Sequence, residues 1–217
     1  MHLNLTHHKK PGTLLVFEGT DGAGKTTLIN MTRAYLTELF GEARVLVTKQ
    51  PTDMSRNTRL FQKMMYCKNH DEIDYRAVQL LTMSDRIQHA HEEILPALAE
   101  GKFVICDRYI YTSLANMLAR GYTKERWFFH AAKHIPKPDL TFLAVAPPEL
   151  AIERIKARPE ESRRHLDEGQ LTRTAKNFLK MSRRYKFKKL DTTRDAVESF
   201  DEVMLSLWNL FNKENDI

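Results

Sequence analysis

The stretch that most constrains the fold of this chain is residues 14–29, where an apolar run meets a glycine-rich turn and then a helix-forming segment. Within it, residues 19–26 read Gly-Thr-Asp-Gly-Ala-Gly-Lys-Thr and match the pattern G-x-x-x-x-G-K-[ST] at every fixed position. A loop of this kind points its backbone N–H groups at phosphate oxygens, and the following helix adds its positive N-terminal end. The pattern therefore predicts a phosphate-binding loop.

The residues of this loop have separate expected roles. Lys25 is expected to reach the β and γ phosphates of a nucleoside triphosphate, and Thr26 to bind Mg²⁺. The other predicted nucleotide-binding residues are Gly19, Asp21, Gly22, Ala23, Gly24 and Thr27. An ordinary strand, flexible turn and helix is the alternative, but the β-rich residues 14–17 and the amphipathic segment 26–40 provide the context that the motif requires.

Composition restricts the class of protein. The chain has 217 residues, 42% of them hydrophobic and 29% charged, which is typical of one soluble globular domain. No apolar stretch approaches the roughly 18 residues of a membrane helix. Residues 1–12 lack an apolar core, so they predict a flexible lead-in rather than a secretory signal, and residues 13–217 predict a single domain. The two cysteines, Cys67 and Cys106, favour reduced thiols in the cytoplasm.

Short apolar segments alternate with helix-forming segments along the chain. The predicted strands are 14–17, 43–48, 102–107, 140–145 and 187–191. The predicted helices are 26–40, 56–66, 72–99, 111–119, 124–134, 148–158, 168–185 and 197–211. This alternation predicts an α/β fold in which helices cover both faces of a five-stranded parallel sheet. Ligands bind at the carboxyl ends of such strands, so Glu18, Lys49 and Asp107 are expected at one edge beside the loop.

Three charged residues near this edge are candidates for the chemistry. Asp107 ends an apolar run, which predicts a ligand of Mg²⁺, through water, with a helix cap as the alternative. Arg108 follows it and is placed for a bidentate contact with phosphate. Arg86, in the long middle helix, is a second phosphate-binding candidate, and a solvated charge on the helix surface is its alternative.

A charged segment at residues 154–167 has no helical apolar stripe after Arg158. Phosphoryl transfer requires positive charge around the moving group and exclusion of water. A short basic lid that closes over ATP would meet both requirements. A solvated charged loop is the alternative interpretation. The net charge of +6 is compatible with such arginines as well as with nucleic-acid binding.

Several motifs, in their order and spacing, resemble those of thymidylate kinases. They are Phe17-Glu18-Gly19-Thr20-Asp21-Gly22-Ala23-Gly24-Lys25-Thr26-Thr27, Asp85-Arg86, Pro96-Ala97-Leu98, Cys106-Asp107-Arg108-Tyr109, Ser113-Leu114-Ala115, Arg183-Arg184-Tyr185 and Leu190-Asp191. The resemblance covers nearly the whole chain from residue 13 and implies a P-loop NTPase-type fold. It also implies that ATP, with Mg²⁺, phosphorylates a deoxynucleoside monophosphate, typically dTMP, to the diphosphate.

The same resemblance implies roles for individual residues. Asp21 would contact the sugar hydroxyl of the acceptor, Arg108 its phosphate and Arg86 its base. Some members of the family carry a catalytic arginine in the phosphate loop at the position of Gly22, so this chain is expected to supply that arginine from the lid. The candidates, beside the catalytic Lys25 and Arg108, are Arg154, Arg158 and Arg163, and stacking on adenine is an alternative role for Arg158.

Three departures from the family pattern fall in the acceptor pocket. Where many members read Thr-Arg-Glu-Pro-Gly-Gly, residues 48–53 read Thr-Lys-Gln-Pro-Thr-Asp, so Lys49 replaces an arginine. Thr82 replaces the aromatic ring that commonly stacks on thymine, and Asn116-Met117 replaces a Tyr-Gln pair. The last two losses are each expected to cost on the order of 1–3 kcal/mol of acceptor binding unless another aromatic compensates. The candidates for compensation are Tyr66, Tyr75, Tyr109 and Tyr111.

The leading interpretation is a cytoplasmic nucleoside monophosphate kinase that acts on small-molecule nucleotides by direct in-line transfer, as a possible homodimer and without a membrane. One alternative is a divergent kinase for another pyrimidine nucleotide or a phosphorylated metabolite. A second is a non-kinase ATP-binding or nucleic-acid-associated P-loop protein. The arginines cluster at the predicted ligand edge, which disfavours nucleic acid, and no Asn-Lys-x-Asp sequence for guanine is present.

Overall fold

The fold is built on a five-stranded parallel sheet. The computed structural model describes residues 2–67, 70–159 and 166–214. The strands are β1 (Thr13–Glu18), β2 (Val45–Lys49), β3 (Phe103–Asp107), β4 (Leu140–Val145) and β5 (Lys188–Asp191). They lie in the order β2-β3-β1-β4-β5, and each neighbouring pair is parallel. The predicted fold class is confirmed.

Helices connect the strands and cover the sheet. They are α1 (Lys25–Phe40), α2 (Asp53–Arg56), α3 (Arg59–Tyr66), α4 (Tyr75–His89), α5 (Leu95–Ala99), α6 (Ile110–Ala119), α7 (Arg126–Ala131), α8 (Pro148–Lys156), α9 (Glu168–Arg184) and α10 (Ala196–Glu214). The ends of most helices lie within two or three residues of the predicted ends. The largest differences occur where the structure divides a predicted helix into two.

The long helix predicted at residues 72–99 is interrupted. A π-helical turn, Ala90–Ile94, separates α4 from α5, and Pro96 lies in the first turn of α5. Proline has no N–H to donate, and its ring collides with the preceding turn of a regular helix. The wider π-turn accommodates it. The helix predicted at 56–66 is likewise divided, because the Thr58 hydroxyl accepts a hydrogen bond from Phe61 N at 3.2 Å and begins α3.

Side chains of the central strand alternate between two apolar cores. Leu14 and Val16 belong to the core formed with α4, α6 and α9, whereas Leu15 and Phe17 belong to the core formed with α1 and α10. Successive residues of a strand point to opposite faces, so a strand that is apolar throughout must be covered on both. The sheet is therefore the middle layer of three.

Three strands end at the same level beside the phosphate loop. In the sheet register, Asp107 lies opposite both Phe17 of β1 and Lys49 of β2. Arg108 N donates to Phe17 O at 2.9 Å, and Gln50 N donates to Asp107 O at 2.9 Å, so the parallel pairing extends one residue beyond β3 and β2. This edge brings together the loops that follow β1, β2 and β3.

Residues 2–12 lie against the domain. The backbone N–H of Leu3 donates to the Tyr185 hydroxyl at 3.1 Å, and Thr6 N donates to Ile135 O at 3.1 Å. That this lead-in is flexible stays a prediction. The same holds for the organisation of residues 13–217 as a single domain with a lid. Among the described residues, no helix has both the length and the apolar character needed to cross a membrane.

Two leucines of α1 test the assignment of its buried face. Leu36 is fully buried, whereas 54% of Leu39 is exposed. We expect Leu36→Ala to lower the free energy of unfolding by about 2–5 kcal/mol, because it removes buried apolar contacts and leaves a cavity. Leu39→Ala, the matched control, should change it by less than about 1 kcal/mol. Urea unfolding followed by circular dichroism measures both, and equal losses would contradict the assigned face.

Candidate active site

The phosphate loop is shaped by glycines at positions where a side chain has no room. Gly22 has a φ of 75°, and a Cβ atom there would lie 2.2 Å from the carbonyl oxygen of Ala151. Gly24, with a φ of 85°, is the N-cap residue of α1. The first N–H groups of a helix lack partners within it, so they are available to an anion in the loop. A side chain at position 22 would therefore collide with the backbone of Ala151 in this structure.

Lys25 lies inside the curve of this loop. Its Nζ donates to Gly19 O at 3.1 Å and to Thr20 O at 2.9 Å, and its side chain is buried. Burial lowers the pKa of Lys25 to about 8, and the Arg108 cation adds to this effect. The carboxylates of Asp107, Asp21 and Glu18 partly oppose this effect, and a phosphate anion bound in the loop would add further opposite charge beside the ammonium.

Asp107 has the properties expected of a residue that binds a hydrated cation. Its Oδ1 atom is buried and has no hydrogen-bond partner among the described residues. It does not cap α6, because Tyr109 is the N-cap residue of that helix. Thr26 lies at the second position of α1 with its side chain exposed. Since Mg²⁺ keeps several waters and takes few protein ligands, this pair of residues fits the ion.

Arg108 connects the phosphate loop to the segment after β3. Its Nη1 donates to Gly19 O at 3.0 Å and to Thr112 Oγ1 at 3.3 Å, and its Nη2 donates to the carboxylate of Asp21. Burial disfavours the charge of Arg108, but the carboxylates of Asp21, Asp107 and Glu18 outweigh it and raise the pKa. The guanidinium is therefore held as a cation between two phosphate-binding regions.

The sequence placed Glu18 at this edge of the sheet but predicted no role for its carboxylate. Its Oε1 accepts from Tyr109 N at 2.9 Å and Thr112 N at 3.0 Å, and its Oε2 accepts from Thr112 Oγ1 at 2.5 Å. The carboxylate thus binds the N-terminal end of α6 and orients the turn that carries Arg108. Burial raises the pKa of Glu18 to about 7, although the hydrogen bond from Thr112 and the Arg108 charge oppose this. An acid at the end of an otherwise apolar strand was the available signal.

A cavity of about 290 Å³ opens beside the loop. Its size is near the lower end of the range for small-molecule sites, which begins at roughly 300 Å³. Five predicted acceptor-binding residues line it: Asp21, Thr82, Arg86, Arg108 and Asn116. They come from the phosphate loop, α4, the turn after β3, and α6, so the fold brings together residues that are distant in sequence.

Two predicted acceptor residues are absent from the lining of this cavity. Met117 is buried in the apolar core, because it is turned about 100° around α6 from Asn116, which faces the cavity. Lys49 is exposed and forms an ion pair with Asp53, with 3.5 Å between Nζ and Oδ1. Thr48 points toward α4, where its Oγ1 lies 2.9 Å from His89 Nε2, so the alternation along β2 directs Lys49 to the opposite face.

Polar atoms without partners are concentrated along the part of the cavity formed by α4 and α6. Gln79 Oε1, Arg86 Nε and Arg120 Nη1 are buried and accept or donate no hydrogen bond among the described residues. Arg86 is 1% exposed, and its Nη atoms donate to Thr82 O and Tyr109 O, each at 3.2 Å. The interpretation of Arg86 as a solvated surface charge is therefore wrong. Two donors and one acceptor on residues that line the cavity therefore have no hydrogen-bond partner in the described part of the chain.

The aromatic rings near the cavity differ from those expected. Of the four tyrosines considered, Tyr75 lines the cavity, with the Arg120 guanidinium 4.3 Å from its ring centroid. Tyr66 is exposed, and Tyr109 and Tyr111 are buried elsewhere in the apolar core. Phe61 and Phe178 also line the cavity, and no motif predicted them. Tertiary packing alone brings these rings to the pocket.

The residues predicted to form the lid are described in part. Arg154 lies on α8, where its Nη2 donates to Thr192 O at 2.9 Å and its Nη1 to Gly22 O at 3.4 Å, so it contacts the phosphate loop directly. Arg158 is exposed just after α8. Arg163 lies outside the described residues. Farther along, Leu166 and Asp167, at the end of the predicted lid, line the cavity.

Comparison with known proteins identifies relatives of the chain. Residues 17–203 match the family model described as Thymidylate kinase. A protein named "Probable thymidylate kinase" from Pyrococcus abyssi is 37% identical over 202 residues, which cover 90% of this chain and 95% of that protein. A thymidylate kinase from Anoxybacillus flavithermus is 31% identical over 205 residues, which cover 91% of this chain and 97% of that protein.

A solved structure has the same fold. The crystal structure of thymidylate kinase from Ehrlichia chaffeensis matches with a TM-score of 0.66 and 21% sequence identity. The match covers 90% of this chain and 98% of that one. The two chains therefore share a fold over most of their length.

The buried carboxyl of Glu18 predicts a measurable pH dependence. Its pKa rises from 4.5 in the unfolded chain to about 7 in the folded protein. Between these values the folded state holds a proton that the unfolded state releases, so stability falls as the pH rises. Glu18→Gln, which stays neutral, should gain about 3 kcal/mol of unfolding free energy relative to wild type from pH 4.5 to 7.5. Urea unfolding at several pH values measures this difference, and parallel curves for the two proteins would refute it.

Proposed function

This chain belongs to the thymidylate kinase family, and we propose that it transfers the γ-phosphoryl group of ATP to the 5′-phosphate of dTMP, forming dTDP and ADP. The observation that carries this proposal is the position of Arg108. Its guanidinium contacts both the phosphate loop and Asp21 at the cavity. A donor phosphate in the loop and an acceptor phosphate in the cavity would therefore meet at this residue.

On the donor side, the loop residues Gly19 to Thr27 bind the phosphates of ATP. The N–H groups at the start of α1 and the Lys25 ammonium balance the negative charge of the β and γ phosphates. Thr26 and Asp107 would hold Mg²⁺, which supplies further charge neutralisation between these phosphates. The buried, unpartnered Oδ1 of Asp107 supports this role.

On the acceptor side, Arg108 holds the 5′-phosphate, while Asp21 orients Arg108 and contacts the sugar hydroxyl. An oxygen of the acceptor phosphate attacks the γ-phosphorus in line, and the bond from that phosphorus to the β–γ bridging oxygen breaks as ADP leaves. Because this phosphate is already ionised, the reaction needs no strong general base, and catalysis rests on positioning and charge. The lid arginines complete the charge that Gly22 cannot provide, with Arg154 already against the loop.

The unpartnered polar atoms of the cavity-lining residues would complement a base that has two hydrogen-bond acceptors and one donor. Arg86 Nε and Arg120 Nη1 can donate, and Gln79 Oε1 can accept. Thymine offers the complementary set, because its two carbonyl oxygens accept and its ring N–H donates. Cytosine also has two acceptors and one donor group, but its ring N3 accepts and its exocyclic amino group donates, so the order of these groups along the base edge differs from that of thymine. The protein should therefore prefer dTMP and dUMP to dCMP.

We assign it to the cytoplasm, and a homodimer is part of the same proposal.

A coupled assay of ADP release tests the proposed reaction. With ATP and Mg²⁺, dTMP should support turnover, dUMP should follow, and dCMP should be poor. Lys25→Ala should lower kcat by about a thousandfold or more, because the loop loses the charge that faces the transferred group. Circular dichroism shows whether that variant is folded. ATP hydrolysis that no nucleoside monophosphate accelerates would instead support the non-kinase interpretation.

Position 82 tests how the pocket holds the base. Thr82 lines the cavity, and its hydroxyl donates to Gln79 O at 3.3 Å. Thr82→Phe should lower the Kd for dTMP by up to about tenfold, because aromatic stacking contributes about 0.5–1.5 kcal/mol. Thr82→Val, which keeps the volume without a ring, is the control and should not tighten binding. Isothermal titration calorimetry measures both, and unchanged or weaker binding by Thr82→Phe would show that the base lies elsewhere.

A further inference from the structure

Arg56, the last residue of α2, lines the acceptor cavity together with Asp21 and Arg108. We propose that Arg56 binds the acceptor phosphate as a second guanidinium beside Arg108. This inference rests on the proposed kinase function. It adds a substrate-binding residue that no motif of the chain predicted.

The geometry of Arg56 leaves its phosphate-binding atoms available. Its Nε donates to the carbonyl oxygen of Pro51 at 2.7 Å, and its guanidinium lies 5.9 Å from the ring centroid of Phe61. Its two Nη atoms donate to no residue in the described part of the chain. The side chain is therefore held at Nε while both terminal nitrogens remain for a ligand, which is the arrangement that a bidentate contact with phosphate requires.

The charged groups that act on Arg56 lie in the phosphate loop, at the end of β3 and in α2. Burial lowers the pKa of Arg56, the Arg108 cation lowers it further, and the carboxylates of Asp107, Asp21 and Asp53 raise it. Arg56 and Arg108 both line the cavity, and their like charges repel each other. The Arg108 nitrogens already bind Gly19 O, Thr112 and Asp21. An anion between the two guanidinium groups would relieve their repulsion, and a phosphate dianion has enough oxygens to bind both.

The helix that carries Arg56 is fixed to the residue next to Arg86. The buried carboxylate of Asp85 accepts hydrogen bonds from Thr52 N, Thr52 Oγ1 and Ser55 N, each at 3.0 Å. Asp85 therefore acts as a positioning residue for α2. Because Asp85 and Arg86 are consecutive residues of α4, the distance between the phosphate contact and the base contact is set by one rigid element. Lys49 has no such link, since it lies outside the cavity lining.

The test compares a ligand that has the phosphate with one that lacks it. Isothermal titration calorimetry of Arg56→Ala should show a Kd for dTMP about 10-fold to 100-fold above that of wild type, and an unchanged Kd for thymidine. Arg56→Lys should recover part of the loss. Arg59→Ala, an exposed arginine three residues further on, is the matched control and should bind both ligands as wild type does.

Three results would overturn the inference. Equal weakening of dTMP and thymidine by Arg56→Ala would indicate a structural role, and wild-type binding of both would remove any role. A larger selective loss of dTMP binding in Lys49→Ala than in Arg56→Ala would assign the phosphate contact to Lys49 instead. In each case wild-type turnover of dTMP would leave the proposed function intact. Absence of both dTMP binding and turnover in the wild-type protein would overturn the function and the inference together.

Discussion

The ion pair between Arg108 and Asp21 joins the phosphate loop to the acceptor cavity, and the arrangement of the site depends on it. Asp21 comes from the loop after β1, and Arg108 comes from the turn after β3. The two loops meet because their strands are paired in register and end at the same level. Glu18, at the end of β1, stabilises this junction by accepting hydrogen bonds from backbone N–H groups at the start of α6. A shift of either strand by one residue would separate Asp21 from Arg108, because it would turn the side chains of that strand to the opposite face of the sheet.

Positive charge accumulates around this junction before any ligand is bound. Lys25, Arg56, Arg86 and Arg108 all approach it from different elements, and burial disfavours the charge of each. Such a cluster is costly in an empty site, because like charges repel and partly buried cations lose hydration. Phosphate groups reverse that cost. In the proposed reaction these cations would surround the reacting phosphates, and such preorganised charge is how a phosphotransferase lowers its barrier.

Local chemistry made much of the fold predictable. Apolar runs of four to six residues identified the strands, because each must be covered on both faces of a parallel sheet. The glycines and Lys25 identified the phosphate loop, since few other functions require that spacing. Where local reasoning failed, a single residue was responsible. Pro96 introduced a π-turn into the predicted long helix, and Thr58 began a new helix inside another. Pro96 lacks a backbone donor and its ring collides with the preceding turn, whereas the Thr58 hydroxyl accepts from one backbone N–H. A pattern averaged over many residues does not resolve effects this local.

The sequence by itself determined the architecture, the phosphate loop and the family, because these depend on short-range patterns and on motifs contiguous in the chain. It also predicted five residues that line the cavity, but only the tertiary structure decided which other side chains enter it and which predicted ones do not. The alternation along β2 turned Lys49 away, and the rotation of α6 placed Met117 in the core. Arg56 entered the pocket because hydrogen bonds to Asp85 orient a short helix. Each of these outcomes depends on the direction of a side chain relative to a distant element, and that direction follows from packing rather than from residue type.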